Sequence, residues 1–254
     1  MKLKNFIAIG LVAAPVAAVA GPALNGAGAT FPAPLYQRWF QDYAASSGTR
    51  VNYQSIGSGA GIKQFVAGTV DFAASDEPIK PSEAAKVKRG VVQIPMVGGT
   101  IAIAYNKPGC KLKLTQKQTV DVFAGRIKDW KAVGCAAGPI NVVHRADASG
   151  TTFAFTNSLS AFGGWTYGVA KSVNWPTGVA SKGNEGVAGT IKNTPGSVGY
   201  VNTGFVRVNK LQAAVIQNKA GKFVGPSAAT GAAALNGIAL DSNLAGEDPN
   251  PSAT

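Results

Sequence analysis

A chain of 254 residues with 24 Lys and Arg against 12 Asp and Glu carries a formal net charge of +12, a balance that favours anionic partners: nucleic acid, a membrane surface or small oxyanions. Its 32 glycines, 14 prolines and only 14% charged residues exclude a coiled coil and an acidic disordered tail. The basic residues are scattered rather than gathered into a stripe, which argues against tracking a nucleic-acid backbone, so no nucleic-acid partner is expected.

Lys2 and Lys4 precede an apolar run over 6–20 that ends in Ala18-Val19-Ala20. A short basic segment, an apolar stretch and a small-residue site describe a secretory signal peptide, placed at 1–20. The run is too short for the ~20 residues that a bilayer demands, and Gly10 and Pro15 suit a cleaved segment better than a permanent helix. The first Cys is Cys110, so no lipidated N-terminal cysteine is expected, and the mature chain should be soluble from near Gly21. What remains could form one large domain or two of ordinary size.

Short apolar, β-branched runs at 51–56, 91–95, 100–105, 140–143 and 198–201 read as buried strands. Between them, Phe31, Leu35, Tyr36, Trp39, Phe40 and Tyr43 recur at helix spacing, as do Val120, Val122, Phe123, Ile127 and Trp130. The aromatic stripe with Trp39 and Phe40 is read as core packing. Strands alternating with helices predict an α/β protein with largely parallel sheets. In an oxidising compartment Cys110 and Cys135, the only two cysteines, are expected to be bridged, with a pair of buried thiols as the alternative. Two Cys and one His are too few for zinc, so neither metal nor cofactor is expected.

Three segments join small residues to a hydroxyl and then open a helical pattern: Gly26-Ala27-Gly28-Ala29-Thr30-Phe31, Gly57-Ser58-Gly59-Ala60-Gly61 and Ala148-Ser149-Gly150-Thr151. A helix N-terminus offers unpaired N–H donors and about half a positive charge, which suits an anion. Glycine allows close backbone approach, and Ser or Thr adds a donor. One such turn is usually only a turn; three beside a suitable Arg carry more weight.

That Arg is Arg145, with Asp147 two residues on, just before the Ser149-Gly150-Thr151 turn. Its planar fork of donors matches an oxyanion, and Asp147 could hold the fork in place. Standing alone, the two would read as a surface ion pair worth less than ~1 kcal/mol. Asp76 would ordinarily read as a helix cap, given Pro78. A carboxylate beside an anion pocket makes sense only if the anion carries a proton. Hydrogen phosphate does at neutral pH, whereas sulfate offers a carboxylate nothing but acceptors and like charge.

The segments Gly26-Ala27-Gly28-Ala29-Thr30-Phe31-Pro32-Ala33-Pro34, Gly57-Ser58-Gly59 with Lys63-Gln64, 71–76 and 145–151 closely resemble the phosphate-binding subunits of high-affinity phosphate ABC importers. Gly183-Asn184-Glu185-Gly186-Val187 and Pro195-Gly196-Ser197-Val198-Gly199-Tyr200-Val201 resemble them too, so the likeness runs in order from about Gly26 to Val201. The resemblance implies a two-domain, type II periplasmic-binding-protein fold with phosphate in the interdomain cleft. It implies a periplasmic monomer that delivers inorganic phosphate to a transmembrane permease. Thr30 and Phe31 would supply backbone donors, with the Thr30 hydroxyl nearby. Ser58 would donate from the next turn and Asp76 would accept the ligand's proton. Arg145 would pair with phosphate under the restraint of Asp147, and Ser149, Gly150 and Thr151 would complete the cage. His144 is read as a neighbour of the site.

Family members continue with an apolar strand crossing back to the first domain and helices that complete it. This chain ends in the polar, proline-containing stretch 248–254. A first α/β domain over 21–100, incomplete without that return segment, and a second over 101–254 are therefore expected.

A hydrolase built from His144, Asp147 and a serine is disfavoured, because members so close on one strand and turn can hardly face one another. G-x-S-x-G is also absent. No enzymatic activity is expected. The nearer alternative is a binding protein for another tetrahedral oxyanion such as sulfate, which Asp76 disfavours.

Overall fold

Described here is a computed structural model of the chain, over residues 23–242 and 244–252. The expected signal peptide lies outside the described residues. In chain order the elements are β1 (Ala23–Gly28), α1 (Ala33–Ser47), β2 (Arg50–Ser55), α2 (Ser58–Ala67), β3 (Phe72–Ala74) and α3 (Pro81–Ala84). Then come β4 (Ile101–Asn106), β5 (Lys113–Leu114), α4 (Gln116–Phe123), β6 (Asn141–Arg145), α5 (Gly150–Phe162), β7 (Val179–Ser181) and α6 (Gly183–Asn193). The series ends with β8 (Ser197–Asn202), α7 (Thr203–Asn209), β9 (Gln212–Ala213), β10 (Val215–Gln217), β11 (Phe223–Val224) and α8 (Ala228–Leu235).

β2, β1 and β3 form a parallel sheet in that order. A five-stranded sheet runs β7-β6-β8-β4-β9, parallel across β7, β6 and β8, with β4 antiparallel to β8 and β9. The expectation of largely parallel sheets thus holds for the first sheet and half of the second. A third small sheet joins β11, β10 and β5.

The five-stranded sheet is covered on both faces, which explains its near-continuous apolar strands. Successive side chains point to opposite faces. Ile103, Tyr105, Val142, Val198 and Tyr200 accordingly enter one core with Phe123, Trp130, Phe155 and Leu159. Ala102, Ala104, Val143 and Val201 enter the other with Val187, Ala188 and Ile191 of α6. Among the described residues no helix is long and apolar enough to cross a membrane.

Three sequence expectations need correction. Residues 91–95 form no strand: Val92 and Ile94 are 84% and 63% exposed, and no described strand pairs with this segment. Apolar β-branched composition makes a buried strand only where a ladder partner and a covering layer exist. The second helical pattern does not reach Trp130. Helix α4 begins with a capping box, in which Thr115 Oγ1 accepts from Gln118 N at 3.1 Å and Gln118 Oε1 from Thr115 N at 3.0 Å. It ends at Phe123, before Gly125 at φ 68°, and Trp130 opens a separate 3-10 turn, Trp130–Val133. On α1, Tyr36 is buried and Phe40 packs on Tyr53 and Phe72, but Trp39 is exposed, so only part of the aromatic stripe is core.

Cys110 and Cys135 are bonded to each other with a sequence separation of 25, beside the larger core. Closing a loop of that size stabilises the folded state by about 3–4 kcal/mol on the chain-entropy account. Replacing both cysteines by serine is expected to lower the unfolding free energy by about that much in urea titrations. An unchanged midpoint and slope would contradict it.

Candidate functional site

The three glycine-hydroxyl turns each follow a strand and precede a helix: β1 to α1, β2 to α2, and β6 to α5. Two of these loops rise from the three-stranded sheet and one from the five-stranded sheet, and they meet. Gly59 N donates to Ala148 O at 2.9 Å, and Gly150 N donates to Ser58 Oγ at 3.1 Å. Such approach requires glycine. Gly57 sits at φ 91°, where a Cβ would collide with Asp147 Oδ2, and a Cβ on Gly150 would collide with Asp76 Oδ1.

Arg145, at the end of β6, is the buried charge of the site, with 1% of its side chain exposed. Asp147 takes two of its donors, Nε at 2.8 Å and Nη2 at 2.5 Å. The third nitrogen, Nη1, is buried and has no hydrogen-bond partner. Buried donors are nearly always satisfied, so this one marks a place for an acceptor. Burial by itself would raise the Asp147 carboxyl, but the hydrogen bonds and charge of Arg145 and the N–H of Gly183 at 2.9 Å outweigh it and hold it below the ordinary range. Tyr200 holds the backbone: its hydroxyl oxygen accepts from Arg145 N at 3.1 Å and lies 2.6 Å from Thr152 Oγ1. Burial pushes that phenol up to about 12.

Asp76 follows β3 and faces the N-terminus of α5. Ser58 Oγ donates to its Oδ1 at 2.9 Å and Thr151 Oγ1 to its Oδ2 at 3.1 Å. Burial raises its pKa, against the lowering effects of Ser58, Thr151 and Arg145. It is therefore not a helix cap. Ser149 caps α5, its Oγ accepting from Thr152 N at 3.1 Å, while its own N–H goes to Lys171 O at 2.9 Å. Thr30 is buried, its Oγ1 accepting from Asn184 N at 3.1 Å and Nδ2 at 2.8 Å. Phe31 stands at the start of the turn into α1 and is partly buried, beside Gly99.

Asn184, Tyr200 and the Glu77–Lys171 ion pair were not foreseen as parts of this cluster. The only sequence signal was that Asn184 and Tyr200 lie in segments carrying the family resemblance. His144 stays outside, stacked on Trp175 at 5.2 Å between ring centroids, with Nδ1 3.2 Å from Arg145 O. Among the described residues no group of His, Cys, Asp and Glu could hold a metal ion. A cavity of about 240 Å³ opens beside Asp76, lined also by Pro78, Asp241 and Glu247, whereas one of about 270 Å³ between α1 and β2 lies away from the cluster. The convergence of donors, rather than cavity size, locates the site.

Two α/β sheets whose strand-to-helix turns meet around a buried guanidinium define a class by architecture, that of the periplasmic binding proteins. The model of a PBP superfamily domain matches residues 14–253. The chain is 44% identical to the phosphate-binding protein PstS of Xylella fastidiosa over 229 residues, 84% of this chain and 62% of that protein. It is also 44% identical to that of Haemophilus influenzae over 243 residues, 89% and 71% of the two chains. A high-affinity periplasmic phosphate-binding protein solved with bound phosphate superposes at a TM-score of 0.71 and 26% identity, covering 87% of this chain and 69% of that one. The chain belongs to the family of PstS phosphate-binding proteins, with the type II periplasmic-binding-protein fold. It spans about three fifths to seven tenths of the length of the curated relatives it matches.

The raised Asp76 carboxyl has a consequence for stability in the absence of ligand. A group whose folded pKa lies above its unfolded value, ordinarily 3.8, stabilises the fold below that value and loses the contribution as pH rises through the folded pKa. An amide cannot ionise. The melting temperature of Asp76→Asn minus that of the parent protein is therefore expected to grow as pH rises from about 4 to 8 in phosphate-free buffer. A difference that stays flat or shrinks would contradict the burial assigned to this carboxyl.

Proposed function

We propose that the chain binds inorganic phosphate between its two α/β units, 21–100 and 101–254, and hands it unchanged to the transmembrane permease of an ABC importer. In this reading it acts outside the cytoplasmic membrane as a monomer. The observation that carries the proposal is Arg145, buried, neutralised by Asp147, and left with an Nη1 that has no protein acceptor and can meet an oxyanion. The N-termini of α2 and α5 add positive potential. The names of the relatives point the same way.

Thr30, Phe31, Ser58, Ser149, Gly150 and Thr151 supply the surrounding donors, and Asp76 the acceptor. Ser58 and Thr151 now give their protons to Asp76 and Gly150 N–H goes to Ser58. Phosphate takes over these donors, and Asp76 accepts the phosphate OH in exchange. A hydrolytic role finds no support at His144, whose ring is stacked on Trp175, whose Nδ1 lies on a backbone carbonyl, and whose pKa burial lowers.

Selectivity follows from Asp76. Sulfate brings no proton, leaving a desolvated carboxylate against an oxyanion, and sites of this kind reject an analogue by ~10⁴-fold or more. Millimolar sulfate is expected not to displace phosphate in competition titrations. Asp76→Asn should relax that rejection more than it weakens phosphate binding, because an amide oxygen still accepts while its NH₂ donates to sulfate. An unchanged phosphate-to-sulfate ratio in that variant would overturn the role given to Asp76.

A further inference from the structure

Asn184 is fully buried at the first turn of α6, and its hydrogen bonds can be assigned from chemistry alone. Asn202 N donates to its Oδ1 at 2.8 Å. A backbone N–H can only donate, so the oxygen of the amide must face Asn202 and the NH₂ must face the other way. That NH₂ donates to Thr30 Oγ1 at 2.8 Å and lies 3.4 Å from Thr151 Oγ1. Asn184 N, again only a donor, reaches the same Thr30 oxygen at 3.1 Å.

A hydroxyl has two lone pairs and one proton. Asn184 occupies both lone pairs of Thr30, so the Thr30 proton must point away from it. Among the described hydrogen bonds no protein acceptor receives that proton, whereas the protons of Ser58 and Thr151 both go to Asp76. The residue before Asn184, Gly183, donates to Asp147, which holds Arg145. One helix N-terminus thus supports two side-chain donors for which no protein acceptor is described, Arg145 Nη1 and the Thr30 hydroxyl.

We infer that Asn184 is a positioning residue: by filling the acceptor side of Thr30 it turns that hydroxyl into an obligate donor to the bound anion. Thr30 follows β1 of the three-stranded sheet and Asn184 opens α6 against the five-stranded one. The hydroxyl is therefore held this way only while the two units are together, so closure and donor orientation occur in one step. The inference rests on the phosphate reading above.

The test is calorimetric titration of phosphate into the full chain and into Thr30→Val, Asn184→Leu, Asn184→Asp and the two double variants. Asn184→Asp keeps the acceptor for Asn202 and replaces the donor by an acceptor, so it remains informative if Asn184→Leu does not fold. Its added charge repels the anion whatever stands at position 30 and cancels in the cycle. Each single variant is expected to weaken binding about tenfold or more, the size of one lost bond to a charged group. In the Thr30→Val background, Asn184→Leu should cost less than about twofold further, and Asn184→Asp clearly less than it costs in the parent chain. Equal losses from the changes at Asn184 in the parent and in the Thr30→Val background would mean that Asn184 serves only the fold, and would overturn the inference. If the parent chain itself takes up no phosphate, the phosphate reading fails and this inference with it.

Discussion

The site depends on one interaction, the two-pronged pairing of Arg145 with Asp147 in a place closed to water. A lone guanidinium would not remain charged and buried there, and removing one partner of such a pair typically costs about 3–5 kcal/mol. Asp147 resolves this and sets direction as well. It engages Nε and one side of Nη2 and leaves Nη1 without a protein acceptor. Its own negative charge is taken up by Arg145 and the Gly183 N–H, so it need not repel an incoming anion. Tyr200, wedged between Phe155 and Trp175, fixes the backbone from which Arg145 projects.

Around that pair, the fold gathers helix beginnings. A strand that hands over to a helix at the same edge of its sheet exposes the first N–H groups there, and two sheets brought together oppose several such edges. In this protein those groups satisfy one another across the gap: Gly59 on Ala148, Gly150 on Ser58, Asn184 on Thr30. The ion pair of Glu77 with Lys171 adds a charged contact next to Asp76, and the Lys171 carbonyl holds Ser149. The contacts between the loops of the two sheets and the candidate site thus involve largely the same residues.

Legibility in the sequence followed the range of the forces involved. The strands at 100–105, 140–143 and 198–201 were readable because both faces of their sheet are buried, which leaves an unbroken apolar run. The same composition misled at 91–95, where no described strand supplies a ladder. The helix expected through Trp130 was cut short by Gly125, a local feature that apolar spacing alone does not register. Arg145, Asp147 and the turn residues announced themselves because pairing and capping act over two or three positions. Asn184 did not, since its partner Thr30 is 154 residues away and an Asn has no chemistry of its own to signal a site. Asp76 stood between: its oddity beside an anion pocket was visible, while the two hydroxyls that hold it come from 18 and 75 residues away.

The most direct test of the account is a crystal structure of the protein grown with phosphate. The account predicts a phosphate oxygen within hydrogen-bond distance of Arg145 Nη1, with Nε and Nη2 still on Asp147 and a second phosphate oxygen against Asp76. Phosphate bound away from Arg145, or an Arg145 that releases Asp147 to reach it, would contradict the claim that this pair creates the site.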